Sequence, residues 1–270
     1  MFWTRLASGI VLLAIALVTV IMGGSVLFLT ISVLSLIGMV EIYKVFHIHN
    51  KPVGVIGYIS AISYFILLYI EKLDYVLPLL VLFFLLCMTV YVFTFPNTNA
   101  NDSMASFFGM FYVAVLLSYV YLTRKTVDGA YMVWLIFISS WGCDTCAYCV
   151  GMLFGKHKMA PKLSPKKSIE GAIGGIVGAA IIGGIFGMVC ASQLKEFSYP
   201  ELQCAIICAI GAVISQIGDL AASAIKRNHN IKDYGKLIPG HGGVLDRFDS
   251  IIFTAPIIYY AAELLRNIMA

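Results

Sequence analysis

The strongest constraint on the fold of this chain is a succession of long apolar stretches that confine the charged residues to the segments between them. A helix needs about 20 mostly apolar residues to cross the hydrocarbon core of a bilayer. Nine segments meet this requirement: 6–22, 25–43, 53–70, 76–95, 104–122, 130–153, 171–193, 201–223 and 250–266. Charged residues make up 12% of the 270 residues, whereas soluble domains carry about 25%. The pattern predicts an all-α integral membrane protein, a polytopic helical bundle of about nine transmembrane helices.

The first apolar stretch has the general form of a secretory signal peptide, with Arg5 ahead of an apolar run. The run 6–22 is long for the apolar region of a signal peptide, and no clear Ala-x-Ala cleavage site follows it. We therefore predict that it is a retained first span. Little more than Gly23 and Gly24 separates it from the second span, so a merged or tilted pair of helices is the alternative at this point.

The basic residues are distributed unequally between the two sides of a nine-span bundle. One side receives the N-terminus and the segments near 44–52, 96–103, 154–170 and 224–249. This side carries 13 of the 18 Lys and Arg residues, namely Arg5, Lys44, Lys51, Lys156, Lys158, Lys162, Lys166, Lys167, Lys226, Arg227, Lys232, Lys236 and Arg247. The other side carries Lys72, Arg124, Lys125, Lys195 and Arg266. Cytoplasmic loops hold the excess of Lys and Arg, so we predict a multi-pass protein of the inner (plasma) membrane with its active site facing the cytoplasm.

The residues suited to chemistry are concentrated in the second half of the chain. We predict an N-terminal part, 1–129, that consists of about five spans. The C-terminal part, 130–270, is predicted to be the catalytic region, with cytoplasmic loops at 154–170 and 224–249.

Small residues within the spans indicate packing rather than chemistry. The seventh span contains the small-xxx-small pairs Gly174/Gly178 and Gly183/Gly187, which let neighbouring helices approach closely. The seven cysteines all lie in apolar stretches, where buried thiols are common and disulfides are not expected. Three of these cysteines recur every three residues, but inside a spanning helix this spacing favours packing over metal binding.

One polar segment, 223–249, interrupts the apolar pattern and has the composition of a phosphate and metal site. Its glycines allow a ligand to approach the backbone closely, and they flank a histidine: Gly240, His241, Gly242 and Gly243. Its cations suit phosphate groups: Lys226, Arg227, Lys232, Lys236 and Arg247. Its acids supply hard oxygen ligands for a divalent cation: Asp233, Asp246 and Asp249. Together these residues predict a metal-bound polyphosphate as the ligand.

Two further acids, Asp144 and Asp219, fall inside predicted spans. Each costs about 2.5–3.5 kcal/mol at the centre of a span, so such groups are retained when they are paired, hydrated or functional. Helical steps of three and four place polar neighbours on the same face as each acid: Ser215, Ser223 and Lys226/Arg227 with Asp219, and Ser140, Tyr148 and Gly151 with Asp144. We expect both faces to turn inward onto a polar, water-filled cavity that faces the cytoplasm. A structural salt bridge is the alternative for a lone acid.

The loop 154–170 is basic and contains the turn-forming run Ser164-Pro165-Lys166-Lys167-Ser168. It lacks the spacing and the hydroxyl of a P-loop. Contact with anionic lipid headgroups is one interpretation, but the two prolines and the Ser-Pro turn favour contact with a ligand. Glu41, at the cytoplasmic end of the second span, either pairs with a cation of the site or caps the span. The sequence leaves both roles open.

Four motifs follow one another in the polar segment: Ser223-x-x-Lys226-Arg227, Lys232-Asp233, Pro239-Gly240-His241-Gly242-Gly243 and Asp246-Arg247-x-Asp249. Others precede them: Asp144-Thr145-x-Ala147-Tyr148-x-x-Gly151, Ser164-Pro165-Lys166-Lys167, Glu170-Gly171 and Gly218-Asp219-Leu220. This arrangement resembles the signature of the phosphatidate cytidylyltransferases, also called CDP-diacylglycerol synthases. The resemblance is specific over roughly 140–250, whereas the first five spans match only as generic apolar helices.

The resemblance implies that CTP and phosphatidate react to give CDP-diacylglycerol and pyrophosphate, by direct attack of the lipid phosphate on the CTP α-phosphorus, in phospholipid biosynthesis. It implies Mg²⁺, together with a second cation, held by Asp144, Asp219, Asp246 and Asp249. The implied catalytic residues are Asp144, Lys167, Asp219 and Asp246. The implied phosphate contacts are Ser164, Lys167, Ser223, Lys226, Arg227, Arg247, His241, Gly242 and Gly243. The expected partners are CTP, phosphatidate and membrane lipid, with no nucleic acid. The sequence leaves open whether the protein forms a homodimer.

Three other functions are alternatives to the one that this resemblance implies. A CTP-dependent lipid-alcohol kinase of related architecture would use similar metal and phosphate groups but transfer the γ-phosphoryl group. An ion-coupled transporter could also keep Asp144 and Asp219 within the membrane, but it predicts internal repeats and polar groups near the midplane. The chain shows no such repeat, and its polar residues crowd one end. A CDP-alcohol phosphatidyltransferase is disfavoured, because its Asp-Gly-x-x-Ala-Arg pattern is missing.

Overall fold

The computed structural model describes residues 2–269, with side chains from residue 8 onward. Helices dominate these residues. They are α1 (Phe2–Met22), α2 (Gly24–Val45), α3 (Pro52–Tyr69), α4 (Val76–Phe93), α5 (Ala100–Gly109), α6 (Leu116–Lys125), α7 (Gly129–Phe137), α8 (Cys143–Phe154), α9 (Ile169–Val189), α10 (Pro200–Asn228) and α11 (Leu245–Ile268). A short 3₁₀ turn, Leu73–Tyr75, leads into α4. The all-α class predicted from the sequence is confirmed.

Two of the spans are interrupted by π-helical turns. Met110–Val115 joins α5 to α6, and Ile138–Gly142 joins α7 to α8. Each pair forms one continuous span, Ala100–Lys125 and Gly129–Phe154. Turns of this kind widen a helix locally and are frequent at functional sites. The second turn ends directly before the segment that carries Asp144.

Eight helices among the described residues are long and apolar enough to cross a membrane. They match eight of the nine predicted spans, from the span 25–43 onward. The remaining predicted span, 6–22, coincides with α1 (Phe2–Met22), whose side chains the structure describes from Ser8 and which is apolar over Ser8–Met22. The side chain of Arg5 lies outside the described residues. The multi-pass membrane class is therefore established, and a ninth span stays a prediction.

The two polar loops differ from their predicted extents. The loop predicted at 224–249 is shorter at both ends, because α10 continues through Lys226 and Arg227 to Asn228 and α11 already begins at Leu245. Basic side chains in the last turn of a helix interact favourably with its negative end, which favours this extension of α10.

The other loop, predicted at 154–170, contains a small hairpin. Its strands β1 (Lys158–Ala160) and β2 (Ser164–Ser168) pair antiparallel, with Lys158 opposite Ser168 and Ala160 opposite Ser164. The sequence did not predict these strands, because the run of Ser, Pro and Lys has neither the alternation nor the composition of a strand.

The chain forms two compact units. Unit 1 consists of Met1–Leu12, Ser25–Ser118 and Asp233–Arg247. Unit 2 consists of Leu13–Gly24, Tyr119–Lys232 and Phe248–Ala270. The predicted division of the chain at residue 129 stays a prediction.

Unit 1 is held together by buried polar contacts between its helices. The hydroxyl of Tyr43 in α2 donates to the carbonyl of Ser106 in α5 over 2.6 Å, and the Tyr43 side chain is fully buried. Gly57 and Gly109 lie against this tyrosine, and a Cβ at either position would overlap its side chain. A buried hydroxyl without a partner is costly in an apolar medium, so this bond fixes how α2 packs on its neighbours.

Unit 2 is built around the glycines of α9. Gly174 and Gly178 face α8, where a Cβ would overlap Val150 and Cys146 respectively. Gly183 and Gly187 face α10, where a Cβ would overlap Cys208 and the carbonyl of Pro200. Each predicted small-xxx-small pair thus lies against a different neighbouring helix, and the close packing expected of the seventh span is confirmed.

The α9 glycines give a matched test of this packing. Gly187→Ala places a methyl group against the backbone of Pro200, which cannot move aside as a flexible side chain could. We expect a loss of about 1–3 kcal/mol, the usual cost of overpacking, measured as a lower Tm in detergent. Gly184→Ala is the control, because its Cβ would meet its nearest atom, the Glu201 carbonyl oxygen, at an ordinary 3.4 Å. Equal Tm values for the two variants would contradict the packing described here.

Candidate active site

A cavity of about 470 Å³ lies within unit 2, between α8, α9, α10 and the β1–β2 hairpin. Its size falls within the range of ligand pockets, about 300–1,000 Å³. The polar groups on its wall are Asp144, Lys166, Lys167, Ser168 and Gln216. The rest of the wall is mostly apolar, so this cavity is amphipathic. Gln216 is itself fixed, since its amide donates to the carbonyl of Ala172 over 3.0 Å.

Glycines allow α8 and α9 to approach closely at this cavity. Ser168 is the N-cap of α9, and its Oγ accepts a hydrogen bond from the amide of Gly171 over 3.1 Å. A Cβ at Gly155 would lie 2.7 Å from the same Oγ, and one at Gly171 would lie 2.8 Å from the carbonyl oxygen of Ala147. The Glu-Gly motif therefore requires glycine at position 171, because the backbones of α8 and α9 are in contact there.

Glu170 fastens the start of the hairpin to α9. Its carboxylate accepts hydrogen bonds from the amide of Lys156 over 3.1 Å and from the amide of His157 over 3.2 Å. The same carboxylate lies 2.6 Å from Nδ1 of His157. This clasp was not predicted from the sequence, where Glu170 appeared only as part of a motif. It anchors the segment that presents Lys166 and Lys167 to the cavity.

Lys167 and Asp219 form an ion pair in unit 2, and each side chain is 26% exposed. Ser223, one turn further along α10, donates from Oγ to Oδ1 of Asp219 over 3.4 Å. Ser215, one turn earlier, is fully buried. The polar face predicted around Asp219 thus exists, and it brings together a lysine and an acid that are far apart in the sequence.

A second carboxylate of unit 2 lies close to this pair. Asp249 in α11 is within electrostatic range of Asp219, Asp144 and Lys226. It also accepts a hydrogen bond from the amide of Ser250 over 2.8 Å. The structure therefore gathers three of the four predicted metal ligands into one unit, and their mutual repulsion favours the binding of a cation.

The described part of the chain contains no group of three or more His, Cys, Asp or Glu side chains placed closely enough to hold a metal ion. The donor set of unit 2 nevertheless fits a hard divalent cation chemically, because carboxylate oxygens are the ligands that Mg²⁺ takes from proteins. The assignment of a metal to these acids stays a prediction.

The site residues predicted from the sequence that belong to unit 1 lie in the segment 233–247, here called the signature segment. Asp246 is 8% exposed, and its Oδ2 accepts hydrogen bonds from the amides of Tyr234 (2.8 Å) and Gly243 (2.9 Å). Gly242 has a φ of +87°, and a Cβ there would lie 2.7 Å from the same oxygen. The predicted metal ligand Asp246 therefore also organises its own loop, and the amide of Gly243, predicted to contact phosphate, already has a partner.

His241 and Arg247 make contacts within the same segment. Arg247 donates from Nε to the carbonyl of His241 over 3.0 Å. Nδ1 of His241 lies 2.8 Å from Oγ of Ser8, which also donates to the carbonyl of Pro239 over 3.0 Å. These contacts fix the shape of the signature segment. A contact of His241 or Arg247 with phosphate stays a prediction.

The other predicted phosphate contacts lie at the ends of regular elements in unit 2. Ser164 begins β2 and is partly buried. Lys226 and Arg227 occupy the last turn of α10, where Lys226 is partly buried and Arg227 is exposed. Both basic side chains can therefore reach a charged ligand from a rigid position.

Glu41 is the residue whose role the sequence left open. The structure shows that its carboxylate accepts hydrogen bonds from two successive amides, those of Val244 and Leu245, each over 2.9 Å. Glu41 therefore caps α11 and not its own span. The two partners are 203 and 204 residues away in the sequence, so no local pattern could have indicated this contact.

The fold and these residues define a multi-pass membrane protein with an amphipathic cavity, whose charged lining residues are Asp144, Lys166 and Lys167. The chain belongs to the cytidylyltransferase family, whose sequence model matches residues 3–265. It is 32% identical over 266 residues to a phosphatidate cytidylyltransferase of Staphylococcus haemolyticus (strain JCSC1435), covering 94% of this chain and 96% of the relative. It is 31% identical over 263 residues to a phosphatidate cytidylyltransferase of Staphylococcus aureus (strain COL), with the same coverage.

Proposed function

We propose that this chain is a phosphatidate cytidylyltransferase, which converts CTP and phosphatidate to CDP-diacylglycerol and pyrophosphate in phospholipid biosynthesis. The observation that carries the proposal is the family match over residues 3–265 together with relatives of this activity at about a third identity across 94% of the chain. Some of the motifs that resemble the family signature supply residues of the cavity wall, such as Asp144, Lys166 and Lys167, and others lie in the signature segment.

The amphipathic cavity supports a substrate with both an apolar and a phosphorylated part. The apolar side chains of Met152 and Met159 and the ring of Tyr148 line it beside Lys166 and Lys167. A lipid with a phosphate headgroup matches this combination. A purely water-soluble ligand would leave most of the wall without a suitable partner.

The reaction joins two polyanions, and the residues suit that task. An oxygen of the lipid phosphate attacks the α-phosphorus of CTP, and the bond from that phosphorus to the pyrophosphate oxygen breaks. A phosphomonoester alone carries a charge of about −1.5 to −2, so the repulsion between the substrates must be cancelled. Lys167, Lys226, Arg227 and Arg247 supply positive charge for this purpose, and transfer of this kind depends mainly on positioning and charge stabilisation.

The remaining roles follow the sequence prediction. Asp144, Asp219, Asp246 and Asp249 are proposed to hold Mg²⁺ and a second cation, which would neutralise charge on the triphosphate. The lesser phosphate contacts are proposed to be Ser164, Ser223, His241, Gly242 and Gly243. The basic segments are proposed to face the cytoplasm, where CTP is available.

The decisive experiment incubates the purified protein with phosphatidate and with CTP that carries ³²P at either the α- or the γ-position. Direct attack on the α-phosphorus predicts that α-³²P enters chloroform-soluble lipid, while γ-³²P leaves as pyrophosphate. A lipid kinase predicts the reverse, with γ-label in the lipid and α-label in water-soluble CDP. Entry of γ-label into lipid would overturn the proposed function.

The carboxylates can be tested by substitutions that keep size and remove charge. We expect Asp219→Asn and Asp246→Asn each to lower turnover by at least about 100-fold, the scale of losing a main electrostatic contact. Asp246 also holds backbone amides, so the Tm of each variant must accompany the rate. Asp74→Asn, at an exposed position in the 3₁₀ turn Leu73–Tyr75, is the control. Full activity of Asp219→Asn would remove this residue from the site.

The orientation can be tested with single cysteines in a cysteine-free variant that retains activity. Lys158→Cys and Lys236→Cys lie at exposed positions in the two basic segments, and Lys195→Cys lies at an exposed position between α9 and α10. We expect an impermeant thiol reagent applied to intact cells to label only Lys195→Cys, because the Lys and Arg excess marks the cytoplasmic side. A permeant reagent should label all three. Labelling of Lys158→Cys or Lys236→Cys from outside contradicts the proposed orientation.

A further inference from the structure

We propose that Glu41 is a positioning residue that sets the place of Asp246 and Arg247 by clamping the N-terminus of α11. Glu41 is 6% exposed and lies within the membrane-spanning helix α2. Its two carboxylate oxygens each accept one backbone amide, Oε1 from Val244 and Oε2 from Leu245. The clamp itself is a structural statement, and only its effect on turnover rests on the proposed function.

Placing a carboxylate within a membrane-spanning helix costs a few kcal/mol on insertion scales. At Glu41 this cost is offset by the N-terminus of α11. The first amides of a helix lack intrahelical partners and carry a partial positive charge. The charged side chains within electrostatic range of Glu41 are Asp246 and Lys44. The two amides stabilise this carboxylate more than Lys44 does, so they are its main compensation.

The glycines of the signature segment fit around Glu41. A Cβ at Gly235 would lie 2.6 Å from Oε1 of Glu41, and one at Gly243 would lie 2.6 Å from its Cδ. Neither glycine has a positive φ, in contrast to Gly240 and Gly242. An alanine could therefore adopt the backbone at both positions, and the carboxylate of Glu41 is what excludes it.

Two carboxylates together secure the start of α11. The amide of Gly243 donates to Asp246, and the next two amides, those of Val244 and Leu245, donate to Glu41. Three successive amides are thus held by acids from two different helices. Asp246 and Arg247 follow immediately, so a shift of this backbone moves both of them.

The first test compares Glu41→Gln with Glu201→Gln, a control at an exposed position in the first turn of α10. Glutamine keeps the size of the side chain but presents an amide NH₂ where an oxygen accepted a backbone N–H. We expect kcat for cytidylyl transfer to fall at least tenfold with KM for CTP changed less than threefold, because a displacement of about 1 Å can cost about 100-fold in rate. Glu201→Gln should keep both constants. Unchanged kcat in Glu41→Gln overturns the proposal, as does a rise in KM that accounts for the whole loss.

The second test does not depend on activity. Amide hydrogen exchange, followed by mass spectrometry, should show lost protection in Glu41→Gln for peptides covering 238–247, with α9 and α10 unchanged. Uniform loss of protection throughout the chain would make Glu41 a residue of general stability and overturn the positioning role. If the unsubstituted protein transfers no cytidylyl group, the proposed function fails, and local exchange still decides whether the clamp exists.

A double-mutant cycle isolates the contact between Glu41 and Gly235. Gly235→Ala alone should loosen exchange protection over 238–247 and lower kcat, because the methyl group meets Oε1 of Glu41. In the Glu41→Ala background the same substitution should cause at most a twofold further loss of kcat, since the obstacle is gone. Contacting residues show such non-additivity, whereas independent ones do not. Additive effects of the two substitutions would overturn the proposed contact.

Discussion

The structure depends on how its buried carboxylates are neutralised or hydrogen-bonded in an apolar environment. A carboxylate removed from water is costly unless a cation or several hydrogen-bond donors face it. Unit 2 meets this demand with a side chain, since Lys167 pairs with Asp219. Unit 1 meets it with backbone, since amides of the signature segment donate to Glu41 and to Asp246. Both solutions fix the geometry of the residues to which the proposed reaction is assigned.

Close helix packing is the second requirement, and glycine provides it. Without glycine, α9 could not approach α8 and α10 closely enough for Lys167, at the end of the hairpin, to meet Asp219 on α10. The overlaps that a Cβ would cause at Gly174 and Gly183 show how little space remains. Interhelical packing of this kind drives association in membranes, where lipid is as apolar as the side chains. The glycines of α9 therefore serve the site indirectly, through the separation of the helices that carry it.

Much of the fold was predictable from the sequence because its main signal is local. A window of about 20 apolar residues marks a span without knowledge of any contact, and eight predicted spans have a matching helix. The polar face around Asp219 was predictable for the same reason, since it follows from helical periodicity.

The features that sequence reasoning missed are non-local or lack a pattern. The strands β1 and β2 depend on the clasp between Glu170 and the amides of Lys156 and His157. The early start of α11 depends on Glu41, which is 203 residues away from its first partner. The π-helical turns at Met110–Val115 and Ile138–Gly142 carry no sequence signal that distinguishes them from ordinary helix. Tertiary contacts decide each of these features.

The pairing of Lys167 with Asp219 has a consequence for the proposed reaction. Both side chains are partly exposed, but the ammonium nitrogen of Lys167 is itself shielded from solvent, so an arriving phosphate would have to replace Asp219 as the partner of the lysine. A phosphomonoester group carries about −1.5 to −2 charges, more than the single charge of a carboxylate, so it can replace the carboxylate as the partner of the ammonium. Asp219 then loses its cation and keeps the hydrogen bond from Ser223, while Asp249 and Asp144 still repel it. If these carboxylates hold the proposed metal, we expect the bound triphosphate to make them better ligands for a divalent cation, so that CTP and the metal bind more tightly together than either one alone.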